Sequence, residues 1–193
     1  MDYETQEPRH SLEGLVIAFL DCAGIRPDTV SPEHVELYEK LLREECLELL
    51  DAKGPVNALK ESCDVGYICA CLNVILSWLQ VRNSGFSFDG FSPATEILLR
   101  VAREGIQLVR DTMGRPVLEE AMRRVHASNM LKFQNAKGFT WKRSGEESLQ
   151  KVDKGPRYEP PHLDDLVSSW KAGIEDDDRP LFVSKAFDSD SVH

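Results

Sequence analysis

From Val65 to Val81 the chain runs through 17 residues without a charged side chain. Only two environments suit such a run: a lipid bilayer or the middle of a helical bundle. A membrane span needs about 20 mostly apolar residues. This run is shorter, carries Gly66, Asn73, Ser77 and Gln80, and follows directly on Glu61 and Asp64. A central helix buried on all sides, within one chain or an oligomer, fits better, and no membrane association is expected.

The flanking segments read as the helices that would enclose it. A short apolar helix covers residues 12 to 22 and ends at Gly24 and the Pro27 turn. A second starts at Ser31-Pro32-Glu33-His34, with Ser as N-cap and Pro in the first position, and runs to about Ala52, where Lys53-Gly54-Pro55 stops it. The central helix extends from about Pro55 to Gln80. After a Gly/Ser/Asp loop from Asn83 to Phe91, Ser92-Pro93 opens a fourth helix to about Asp111. Gly114-Arg115-Pro116 separates it from a fifth, Val117 to Phe133.

Beyond Gly138 the helical pattern gives way to Gly, Pro and charge, with a short helix expected from Leu163 to Trp170 and an acidic tail around Glu175 to Asp178. No β-type alternation of any length appears. The expected fold is therefore all-α, a bundle of about five helices with an irregular C-terminal arm. Residues 1–140 are assigned to the helical domain and residues 141–193 to the arm and tail. With 193 residues, 41% of them hydrophobic, the chain can bury one core of its own.

Charge and cysteines narrow the partners. Lys and Arg total 23 against 33 Asp and Glu, a formal net charge of -10. No segregated basic patch is visible, so a nucleic-acid polymer is not the expected partner. A small anionic ligand remains compatible, because metal ions and a few lysines can reverse a local potential. Cys22, Cys46, Cys63, Cys69 and Cys71 lie in apolar helical stretches and make no C-x-x-C pair, which reads as reduced core thiols. The start, Met1-Asp2-Tyr3-Glu4, has neither the basic region nor the apolar run of a signal peptide, and a cytoplasmic setting is expected.

Helical phase gives the acidic residues different meanings. On the second helix Val35, Tyr38, Leu42 and Leu49 define the apolar face, Glu45 falls within that arc, and Glu48 sits at its edge beside Leu41. Glu44 and Asp51 point outward. A carboxylate aimed at a core must be paired or bound to a cation. The central helix supplies Glu61 and Asp64, three residues apart on one face. Two facing helices could thus bring four carboxylates to one point, a shell that suits Mg²⁺ or Mn²⁺. Taken separately, each acidic pair could equally cap a helix, form a salt bridge or face solvent.

On the fifth helix Leu118, Ala121, Met122 and Val125 form the apolar stripe, and Asn129 takes its next position. Asn129 is thus either a satisfied core amide or a ligand group. Lys132 stands one turn later at the edge of the stripe, and His126 lies off it and is expected to be exposed.

The string Glu44-Glu45-Cys46-Leu47-Glu48, followed after twelve residues by Glu61-Ser62-Cys63-Asp64, resembles the E-E-x-x-E…E-x-x-D signature of MazG-like and related all-α nucleoside triphosphate pyrophosphohydrolases. His126-Ala127-Ser128-Asn129-Met130-Leu131-Lys132-Phe133 is similar to the S-N-M-x-K segment of phage-type members related to phosphoribosyl-ATP pyrophosphohydrolase. The stretch from Lys151 to Leu163 looks like their K-x-x-K-G-x-x-Y-x-P-P-x-L tail. Three separated motifs in the right order span roughly residues 12 to 166.

The resemblance implies a MazG-like bundle that hydrolyses a (d)NTP to (d)NMP and pyrophosphate in a bacterial or phage-infected cytoplasm. It implies that Glu45, Glu48, Glu61 and Asp64 hold two or three Mg²⁺ or Mn²⁺ ions, with Glu44 or Glu48 acting on the attacking water. Asn129, Lys132, Lys151, Lys154 and Tyr158 would contact the nucleotide, the lysines at phosphates and Tyr158 at the base. The phage-like tail points to a purine, dGTP or GTP first. It further implies a homodimer or homotetramer with sites near subunit interfaces. The alternative reactions are phosphoribosyl-ATP hydrolysis, which the long arm disfavours, and no reaction at all in a helical scaffold, which the four retained carboxylates disfavour.

Overall fold

The computed structural model describes residues 11–82, 90–133 and 157–175. Within them the chain is all-α, with six helices and no strand: α1 (Leu12–Cys22), α2 (Pro32–Asp51), α3 (Gly54–Arg82), α4 (Pro93–Met113), α5 (Arg115–Leu131) and α6 (Asp164–Glu175). Lys151, Lys154, residues 83–89 of the loop after α3 and the acidic tail beyond Glu175 lie outside the described residues.

Local chemistry accounts for the ends of the helices. Ser11 caps α1 by accepting a hydrogen bond from the Gly14 amide at 3.1 Å. At the start of α2, Pro32 follows Ser31, whose amide donates to Nδ1 of the buried His34 at 3.0 Å. That bond satisfies a backbone donor by an imidazole where a Glu or Gln is the usual partner. The Ser92 hydroxyl accepts from the Thr95 amide at 3.1 Å to open α4. One residue, Gly114, separates α4 from α5 with φ 88° and ψ 154°, a region that side chains essentially forbid. Arg115 and Pro116 are consequently already helical, two residues earlier than the sequence suggests, because the first turn has no use for the amide that Pro lacks.

α3 is the axis of the bundle and packs against every other helix. By length and composition it is the one described helix able to cross a membrane, but 61% of its most apolar window is buried inside the bundle. It is not enclosed on all sides. Asn73, Ser77 and Gln80 form an exposed line, so the polar residues that interrupt the apolar run are the ones facing water. Leu59, Val65, Leu72, Ile75 and Leu79 are fully buried and meet Val16 and Leu20 of α1, Leu42 of α2 and Val125 of α5 in one core. Each such side chain contributes about 1.5–3 kcal/mol by leaving water. At the far end of α3, Arg82 donates to the Val30 carbonyl at 2.7 Å and ties the helix to the connection before α2.

Two approaches set the outer helices. A Cβ on Gly105 of α4 would lie 2.6 Å from Leu49 Cδ2 of α2, so a larger residue there would require the end of the Leu49 side chain to shift. Nearby, the Cys46 thiol donates to the Leu98 carbonyl at 3.5 Å. The cysteines are all free thiols, with Cys46, Cys63 and Cys71 buried and Cys69 half-buried, but Cys22, at the end of α1, is exposed and is not a core thiol.

The C-terminal segment carries more structure than its Gly/Pro content suggests. α6 continues five residues past Trp170, and Leu163 and Val167 belong to the same core as the first five helices. The Trp170 indole donates to the Thr112 carbonyl at 3.0 Å. Arg124 of α5 donates to the His162 carbonyl at 2.8 Å and pairs with Asp165 at 2.6 Å.

Candidate functional site

Only Ala52 and Lys53 lie between α2 and α3, a connection short enough to fold the two helices back on each other as antiparallel neighbours. The last turns of α2 therefore face the first turns of α3, and this is where the acidic motif falls. Glu45, Glu61 and Asp64 each offer a carboxylate oxygen, and these three oxygens lie within 4.8 Å of one another. Glu44 is half-buried. Glu48 is exposed and outside the trio, although its charge still reaches Glu61 and raises that group's pKa.

The trio sits in a partly closed setting. Side-chain exposure is 12% for Glu61, 20% for Asp64 and 29% for Lys60. Lys60 Nζ is 2.8 Å from Glu61 Oε1 and 2.8 Å from Asp64 Oδ2, so one ammonium is shared by two carboxylates. Burial works against the Lys60 charge, but Asp64 and Glu61 outweigh it and its pKa is raised. For Glu61 burial raises the pKa, Lys60 opposes this, and the charges of Asp64 and Glu48 add to the rise. The Glu61 carboxylate is thus held where its ionised form is under-compensated.

Glu61 Oε2 is buried and has no hydrogen-bond partner among the described residues. An orphaned carboxylate oxygen is expensive to bury unless a cation completes it. Crowded hard oxygen donors and one unsatisfied lone-pair site fit a small divalent ion such as Mg²⁺ or Mn²⁺, which binds through few carboxylates and keeps other positions for water and phosphate oxygens.

The second group of candidates lies along α5 and the segment that follows residue 156. Asn129 is buried, as its place on the apolar stripe implies. Lys132 Nζ stands 5.7 Å from the centroid of the Tyr158 ring, which brings two of the expected nucleotide contacts together. The Ser128 hydroxyl donates to the Glu159 carbonyl at 2.5 Å and fixes the residue after Tyr158 to the helix that carries Asn129.

Three residues in this region escape a reading of the sequence. Lys60 does so although it stands four residues before Asp64, a spacing that brings side chains together on any helix. Tyr67 and His126 are the other two. The Tyr67 hydroxyl lies 2.8 Å from His126 Nδ1, and His126 is half-buried rather than exposed because the Tyr67 ring stacks on it. Tyr67 is one turn past Asp64 in α3, and His126 is one turn before Asn129 in α5, so this bond links the helix of the carboxylates to the helix of the Asn and Lys.

No protein family, no curated protein and no solved structure matches this chain.

Proposed function

We propose that the chain is a metal-dependent nucleoside triphosphate pyrophosphohydrolase of the MazG-like kind, converting a (d)NTP to (d)NMP and pyrophosphate. The observation that carries this reading is Glu61 Oε2, buried without a hydrogen-bond partner among the described residues, in a group whose oxygens cluster with those of Glu45 and Asp64. It complements the resemblance of the acidic motif to that family. Glu45, Glu61 and Asp64 would hold Mg²⁺ or Mn²⁺, with Glu48 at the rim as a ligand to a second or third ion. Bound ions supply neutralisation of the triphosphate and acidification of water.

The chain's own groups divide the remaining work. Glu44 or Glu48 would orient a water and take its proton, and the exposed Glu48 could pass it to solvent. Lys132 balances charge on the leaving pyrophosphate, assisted by Lys151 and Lys154, and Asn129 offers a fixed amide to the nucleotide. Tyr158 provides a flat apolar surface for a base, for which a purine such as that of dGTP or GTP is the first choice. Leu47, Leu50 and Ile97 remain exposed on α2 and α4, and a homodimer or homotetramer would cover them.

Incubation of the purified protein with each (d)NTP and Mg²⁺ or Mn²⁺ tests the reading. Release of pyrophosphate is expected, with Asp64→Asn reduced to background. Release of orthophosphate, or no product together with no calorimetric Mn²⁺ binding, would refute it.

A further inference from the structure

The double contact of Lys60 suggests a function beyond ion pairing. Its ammonium lies on one oxygen of Glu61 and one of Asp64, two of the three groups that offer ligand atoms to a cation. A divalent ion drawing on the same carboxylates would sit close to the ammonium, and two cations so placed repel strongly. Lys60 is also tethered by a flexible four-carbon stem whose charged end can swing while its root stays in α3. The arriving nucleotide, meanwhile, brings a polyanion to the same place.

We propose that Lys60 is a substrate-binding residue that changes partners: it neutralises Glu61 and Asp64 in the metal-free protein, is released when divalent ions take those carboxylates, and then binds the phosphates of the nucleotide. The inference rests on the metal-dependent reading given above. It makes Lys60 an antagonist of metal binding and an aid to turnover at once, a combination that a purely structural ion pair does not produce. Other lysines are differently placed. Lys132 lies over the Tyr158 ring, and Lys40 and Lys53 are exposed.

The test acylates the lysines of the intact wild-type protein with an N-hydroxysuccinimide ester and follows Lys60 by peptide mass spectrometry, without metal and with Mn²⁺ alone. Labelling of Lys60 should rise several-fold when Mn²⁺ is added, with Lys40 unchanged as a reference. Lys60→Met should tighten Mn²⁺ binding roughly tenfold, the order expected when a unit charge is removed from beside a half-buried cation. The same variant should lower kcat/KM for pyrophosphate release roughly tenfold or more at saturating Mn²⁺, as for loss of a charged contact to phosphate.

Unchanged Lys60 labelling in wild-type protein that does bind Mn²⁺ would overturn the partner change, and it needs no variant to fold. Tighter Mn²⁺ binding with undiminished kcat/KM in Lys60→Met would overturn the phosphate contact. Absence of Mn²⁺ binding by the wild type, with no effect of Glu61→Gln, would overturn the metal-dependent reading itself and this inference with it.

Discussion

The Tyr67 hydroxyl and His126 Nδ1 lie 2.8 Å apart, and their rings stack with centroids 6.0 Å apart and planes inclined by 30°. This bond joins α3 to α5, on which Ala121, Met122 and Val125 are buried. Burial raises the Tyr67 pKa, so the phenol stays neutral and can donate. Burial lowers the His126 pKa, so the imidazole is neutral near pH 7 and can accept at Nδ1.

Tyr67→Phe keeps the ring, its stacking and its edge contact with Phe19 at 5.5 Å, and removes only the hydroxyl. The half-buried Nδ1 of His126 then loses its partner, at a cost of about 1–2 kcal/mol. Urea unfolding should show a lower midpoint with an unchanged slope. An unaltered midpoint would mean that water replaces the phenol without loss.

The depressed pKa of His126 fixes the sign of a pH dependence. The unfolded chain takes up a proton there more readily than the folded protein does. Its contribution to stability is therefore complete above the ordinary value of 6.5 and is lost as the pH falls through the lower folded pKa. Unfolding measured between about pH 7.5 and about pH 5.5, above the ordinary carboxylate range, should show stability declining toward acid. His126→Gln should flatten that decline, and parallel curves for the two proteins would exclude it.

Glu61→Gln separates folding from metal binding. It removes one charge from a crowded trio and places an amide where Oε2 has no partner, with donors for the facing oxygens of Glu45 or Asp64. In metal-free buffer the variant should melt at or above the wild-type temperature. Added Mn²⁺ should raise the wild-type midpoint by mass action and leave the variant unmoved. A variant less stable than wild type without metal would show that the Lys60 pair outweighs the crowding.

Truncation before Gln150 is not a clean probe of the C-terminal segment, because it would also delete α6 together with Leu163 and Val167, which belong to the core. Point variants divide its roles. Leu163→Ala should cost about 2–5 kcal/mol as a core truncation. Tyr158→Ala should leave stability within about 1 kcal/mol, since its ring is only half-buried, while raising KM severalfold for the preferred nucleotide. Equal kinetics for Tyr158→Ala and wild type would assign the ring to packing rather than to nucleotide binding.

Much of the fold could be read along the chain because its breaks are chemical. Ser31-Pro32 and Lys53-Gly54-Pro55 bound α2 in sequence as in structure, and the phase of Glu45 against Leu42 and Leu49 already turned it toward the core. Glu61 and Asp64 followed from their three-residue spacing on one face, but Glu48, expected at the same point, is exposed and stands outside the trio. Lys60 did not, because a lysine four residues from an aspartate is ordinary on any helix, and its significance depends on the burial that α2 imposes. His126 was misjudged for a related reason: its environment comes from Tyr67, which no periodicity within α5 can reveal. α6 was underestimated since Leu163 and Val167 gain their value from α3 and α5 rather than from their neighbours in sequence.

With Gly114 as the entire connection between α4 and α5, closing that corner restricts almost no intervening chain. The α2–α3 hairpin, joined through two residues, closes nearly as cheaply. Leu163, by contrast, is separated from Phe133 by 29 residues of chain. The bundle thus has a built-in chronology. Its carboxylate trio comes from helices adjacent in sequence, which favours early closure, while the Lys132–Tyr158 contact requires closing a longer loop.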